Sequence, residues 1–268
     1  MPFPERLPLL ILLFICLFLA VPAGAEQVAV RHPEGLVHGF LILRTVEGNG
    51  DILAEGELLQ GANGNLVTSE LIFHFKDGSL HHEKAVFSQR GKFRLISYHE
   101  VQKGPSFKRQ MEMNIDGRSS QVDVKYTEEG GKEKSASEKM KLPPDLANGF
   151  TLTLLKNLAG ESPVSLSMVA ATPKPRLVKL VVTPSGEDTF TAGGASRKAT
   201  HYVVKIEIGG ITGWLAPLVG KEPPDVHVWV LRGKAPAFVK SEGPLFAGGP
   251  IWRIELTSPV WGKERASK

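Results

Sequence analysis

Histidines offer the first chemistry worth testing in this chain. His74, His81, His82 and His99 fall in successive alternating runs that read as neighbouring strands. A turn at Asp77-Gly78 brings His74 opposite residues near His81, and three imidazoles on adjacent strands can hold zinc. The alternation argues against it. His81 and His82 are consecutive and so point to opposite faces, while His74 sits opposite the apolar side of its own run. The expectation is sheet-surface histidines and no metal. His201 and His227 read the same way, each single, on a polar face and without a fixed partner.

Carboxylates come next. Glu207 and Glu255 lie on expected strands, and Glu222 and Asp225 border an apolar loop. Nothing in their spacing ties two together for acid–base work, and salt pairs with Lys205, Arg253 or Lys221 account for them more simply. No Gly-x-Ser-x-Gly elbow and no His-Glu-x-x-His pair occurs. Gly209-Gly210-Ile211-Thr212-Gly213 follows a strand but lacks the spacing and the following helix of a phosphate loop. The chain therefore reads as a non-enzyme without catalytic residues, cofactor or metal.

The elements around these residues are mostly strands. Runs with period-two alternation recur through the first half at the turn spacing of about 8–12 residues typical of all-β folds. Residues 121–127 alternate without fault, and 107–115 place Phe107, Met111, Met113 and Ile115 on one face. Asp77-Gly78, Arg90-Gly91 and Asp116-Gly117 mark the corners. Seven to eight antiparallel strands in sequence make a meander, and long meanders curl. Pro143-Pro144 breaks the pattern. Asp145 can cap a helix, and Leu146, Phe150, Leu154 and Leu158 then recur every four residues. Strands resume at 164–170 and 177–183, with a turn at 184–188. The fold class expected is mainly β, a strongly curved antiparallel sheet forming a half-barrel or open barrel, with one helix packed on its concave face.

Residues 199–245 hold the most unusual segment. Residues 201–208 alternate cleanly and end at Gly209-Gly210, and 226–231 form a second strand. Between them Ile211, Trp214, Leu215, Ala216, Pro217, Leu218 and Val219 make a long apolar loop, where an ordinary connection is short and polar. Exposed apolar patches mark binding surfaces. Trp214, Leu215, Leu218 and Phe246 are the candidates for an apolar mouth, with Phe150 and Leu154 facing it from the helix.

Residues 1–25 read as a cleaved secretory signal. Leu7 to Val21 is apolar apart from Pro8, and Ala23-Gly24-Ala25 supplies small residues before a cut ahead of Glu26. Residues 26–260 then form one domain, and 261–268 a polar tail. Cys16, within the signal, is the chain's one cysteine, so the mature protein has no disulfide. The net charge of +4 is spread over dispersed Lys and Arg, which excludes the concentrated basic stripe of a nucleic-acid binder.

His201-Tyr202-Val203 with Lys205-Ile206, then Val228-Trp229-Val230, then 237–243 (AFVKSEG), resemble the closing half of exported bacterial β domains. The wider pattern is loosely similar to the half-barrel envelope folds of the LolA/LolB lipoprotein carriers. That resemblance implies export to the periplasm or beyond and an apolar cavity. It carries over no catalytic residue. Two functions are expected from it and from the apolar loop. The first is binding of a lipid or acyl chain, with transient membrane-surface contact. The second is docking on an envelope protein partner, with the interior filled by side chains. A hydrolase is the remote third.

Overall fold

The computed structural model describes residues 27–128, 130–192, 194–208 and 223–258. In the first half the strands are β1 (Val37–Thr45), β2 (Ile52–Asn63), β3 (Leu66–Phe75), β4 (Leu80–Arg90), β5 (Lys92–Lys103), β6 (Met111–Asp116), β7 (Gln121–Thr127) and β8 (Glu133–Lys139). A short helix, α1 (Thr151–Asn157), follows. The second half holds β9 (Val164–Ala170), β10 (Arg176–Ala192), β11 (Ala195–Glu207), β12 (Val226–Leu231), β13 (Ala237–Pro244) and β14 (Ile251–Thr257).

All fourteen strands join one antiparallel sheet, ordered β8-β7-β6-β5-β4-β3-β2-β1-β14-β13-β12-β11-β10-β9. Every pairing joins strands consecutive in sequence except β1 with β14, which brings the two ends of the sheet's chain together, Phe40 opposite Thr257 through Thr45 opposite Trp252. The sheet is therefore a meander rolled toward a barrel and left open between β8 and β9. The connection carrying α1 crosses that opening. One core proves the roll. Val67, Phe87, Phe93, Met113, Ile115, Val122 and Val124 from β3–β7 pack with Leu166, Leu180, Val182, Tyr202, Val204 and Val228 from β9–β12, and Leu154 and Leu155 of α1 lie among them. The expected curved sheet with a helix on its concave side is what forms.

The two free edges differ. Along β9, Ala147 N–H donates to the Ser167 carbonyl at 2.8 Å, and the Asn148 side chain bonds both the N–H and the carbonyl of Val169. That edge is covered by the chain's own 145–148 segment. The other edge, β8, has the sequence EKSASEK and is largely exposed. Alternating charge on an edge strand discourages pairing with another chain.

Three expectations are corrected in detail. The helix does not start at Asp145. Its N-cap is Phe150, and the Asp145 carboxylate instead accepts the Ser167 hydroxyl at 2.9 Å. Asp145 and Asn148 are drawn to the β9 edge, and Gly149 turns the chain with φ +74° against the Tyr98 ring, so only seven residues wind as helix. The turn placed at 184–188 is instead part of β10, with register slipping between Pro184 and Glu187. A bulge accommodates the proline that a regular ladder would reject. Phe107 is not in β6. Ser106 donates from its N–H to Ser79 Oγ at 2.8 Å and from its hydroxyl to Asp77 Oδ2 at 2.7 Å. This ties loop 104–107 to the Asp77-Gly78 turn and aims Phe107 into a second apolar cluster with Leu43, Phe73, Phe75 and Trp252.

Within that second cluster Gly56 of β2 lies under the Phe73 ring. A Cβ there would stand 2.4 Å from the ring and 2.6 Å from the Ile72 carbonyl. Gly56→Ala should therefore force Phe73 or the β2–β3 backbone to move. The expected cost is about 1–3 kcal/mol, read as a lower urea midpoint with an unchanged slope.

Candidate functional site

Polar side chains interrupt the inner face of the sheet at β4 and β5, between the two apolar clusters. Residues 81, 83, 85, 87 and 89 of β4 share the parity of the inward Phe87. On β5 a register shift near the pairing of Val86 and Phe87 changes the inward set, so that Tyr98, Glu100 and Gln102 follow Phe93 and Leu95 on the same face. Glu83 stands directly opposite Glu100, and His81 opposite Gln102. His81 Nε2 lies 2.8 Å from Glu83 Oε1. The Tyr98 hydroxyl donates to Glu100 Oε2 at 3.1 Å, and the Gln102 amide donates to the other oxygen of the same carboxylate. One nitrogen of His81 and one oxygen from each glutamate lie within 4.8 Å of one another.

Burial dominates the electrostatics here. Glu100 is 7% exposed and His81 not at all, while the Glu83 side chain keeps 20% of its surface. Removal from water, then the facing Glu83 charge, pushes the Glu100 carboxyl up to about 7, against the attraction of His81. For His81, burial works against the charged ring, but the hydrogen bond and charge of Glu83 and the charge of Glu100 outweigh it, so its pKa rises. Burial and the Glu100 charge raise the Tyr98 phenol well above its usual value and keep it a donor. Among the described residues no Lys or Arg lies within ion-pair distance of either glutamate. His81 Nδ1 is buried without a hydrogen-bond partner. The rings of Phe107 and Phe73 lie 6.3 and 6.5 Å from the imidazole.

His81 thus departs from the expected surface position, and the signal was available. It is an even number of residues from Ala85 and Phe87, both core residues. His74 is exposed as expected. His82 and His99 lie on the outer face, paired with Glu70 at 2.7 Å and Glu112 at 3.2 Å. The Glu112 carboxyl is held below its usual range, first by the His99 hydrogen bond.

His201 and His227 are not without partners. His201 Nε2 lies 2.9 Å from His227 Nδ1, and its ring stacks on Trp229 at 4.4 Å and 2°. Lys240 Nζ sits 3.9 Å from the same indole, whose N–H donates to Asp188 at 2.6 Å. Burial and the His227 charge lower the His201 pKa. Four neighbouring strands, β10 to β13, bring these groups together, with His201 opposite Trp229 and Trp229 opposite Lys240. Glu207 pairs with Lys179 at 3.3 Å, and Glu255 with Arg44 at 3.2 Å and with Arg253 at 3.7 Å.

The described members of the expected mouth fall in two different clusters. Phe150 and Leu154 are 4% and 2% exposed in the main core, with Phe150 stacked on Phe87 at 4.5 Å and 12°. Phe246 belongs to the second cluster, its ring 5.4 Å from Phe107 and 6.0 Å from Trp252. Trp214, Leu215 and Leu218 lie outside the described residues, as do the signal segment and the tail. A groove of about 380 Å³ on the described surface runs over the β5–β8 arm and is lined by Gln102, Lys103, Met111, Glu112, Lys125 and Lys134 among others. Its lining is that of a wet surface furrow, unlike an acyl-chain site.

No protein-family model matches the chain, and no curated protein matches it in sequence. The fold is similar to the crystal structure of a β-barrel-like protein of the domain of unknown function DUF1849 from Brucella abortus. The TM-score is 0.50 at 10% identity, covering 86% of this chain and 100% of that one. At that identity the likeness is one of fold.

Proposed function

We propose that this protein is an exported, non-catalytic envelope module that works by docking on a partner protein, with the interior of its half-barrel serving as its own core. The filled concave side carries the reading. Phe150, Leu154 and Leu155 occupy the space between the two arms of the sheet, where a carried acyl chain would have to lie. The signal-like residues 1–25 support export, and the apolar 211–219 segment supplies the contact surface.

Carriage of an apolar ligand is the second reading. In its favour, Ile208 and Ile251 are exposed at strand ends, and Phe246 is only half-buried. Binding there would draw on apolar burial, ~25 cal/mol per Å² before ordering costs.

In-cell cross-linking tests docking. The wild type should give a discrete adduct that the Trp214→Ser, Leu218→Ser double variant loses while its thermal unfolding is unchanged. No adduct from the wild type, or an adduct indifferent to both changes, would overturn the docking surface.

A further inference from the structure

We infer that His81, Glu83 and Glu100 form a binding site for one divalent transition-metal ion, with zinc the best fit. The site stands independently of the docking proposal. Three features point to it. First, the donors converge. Two carboxylates and an imidazole from adjacent strands bring their ligand atoms within 4.8 Å. Tetrahedral zinc with bonds of ~2.0–2.2 Å needs its ligands about 3.4 Å apart, a gap that rotation of the partly exposed Glu83 can close.

Second, the charges are unbalanced. Glu83 and Glu100 are directly opposite on one face of an antiparallel pair, an arrangement that destabilises a sheet. His81 is the one basic side chain they meet among the described residues. A divalent cation would neutralise both carboxylates. One nitrogen with two carboxylate oxygens is a donor set suited to zinc.

Third, the surroundings orient the donors. Tyr98 and Gln102 each donate to Glu100 and leave its remaining lone pairs directed elsewhere, as outer partners of metal ligands do. The Phe73 and Phe107 rings lie beside the imidazole. His81 Nδ1 is fully buried and without a partner. The partly exposed side chain of Glu83 gives an entry path.

Isothermal titration of the chelator-treated full chain with Zn²⁺ tests the site. The outer face provides a control, because His82, Glu70, His99 and Glu112 could also attract zinc. The wild type should bind one Zn²⁺. Glu83→Gln with Glu100→Gln should weaken binding by ~100-fold or more, and Tyr98→Phe by ~10-fold. His82→Ala with His99→Ala should leave the inner-site affinity unchanged. Should the double glutamine variant misfold, Glu83→Gln alone, at a partly exposed position, serves the same purpose. No saturable binding by the wild type, full binding by the glutamine variants, or loss in the outer-face variant would each overturn the site.

Discussion

Phe150→Ala should cost about 3–5 kcal/mol of stability, the range for removing a buried aromatic ring. Phe150 is nearly inaccessible, lies face to face with Phe87 and also supplies the N-cap of α1. Truncating it opens a hole between the helix and β4 that a sheet paired on both sides of β4 cannot collapse to fill. Urea unfolding of the two proteins checks this, with the midpoint falling and the slope unchanged. If Phe150 instead lined a space kept for a ligand, stability would scarcely change. The same substitution therefore separates a core residue from a binding residue.

Glu100→Gln should act in the other direction, and only at higher pH. In the metal-free protein the Glu100 carboxyl titrates near 7 when folded, against 4.5 for the unperturbed group. The folded state therefore holds a proton that the unfolded state has released. Stability is fully present below about pH 4.5 and falls as pH rises through 7, by on the order of 3 kcal/mol. The raised His81 pKa tilts stability the same way, with its contribution present below 6.5 and lost as pH rises through the folded value. A glutamine mimics the protonated acid, and Gln102 can turn its amide to suit. With chelator present, the variant should match the wild type at pH 4.5 and be about 2–3 kcal/mol more stable at pH 8. Equal stability of the two proteins at both pH values would mean that Glu100 is not held protonated.

Much of this architecture is written in short-range pattern. The alternation of residues 121–127 and 226–231 and the corners at Asp77-Gly78 and Arg90-Gly91 place strands correctly, and in 121–127 one buried face enforces the period of two. What pattern hides is what long-range pairing decides. The register shift between β4 and β5 changes the parity of the inward residues on β5, so Glu100 faces the core while His99, its neighbour, faces water. Asp145 has the character of a helix cap, yet Ser167, twenty-two residues on, claims its carboxylate. His201 and His227 look solitary until β11 and β12 pair. Phe150 and Leu154 have the periodicity of a helix face, and only the rolled sheet shows that the face meets core on both arms. Of the candidate metal donors only His81 is legible in the sequence, by type and parity; Glu83 and Glu100 carry no such signal until β4 and β5 pair them.

The half-barrel is filled by its own side chains. Native mass spectrometry of full-length protein purified without detergent tests it most directly. The expected spectrum holds the bare chain, with Zn²⁺ as the one adduct allowed by the inner-face site. A stoichiometric lipid or fatty-acid adduct that survives gentle desolvation, and that Phe150→Ala or Leu154→Ala changes, would contradict a filled interior and restore the carrier reading.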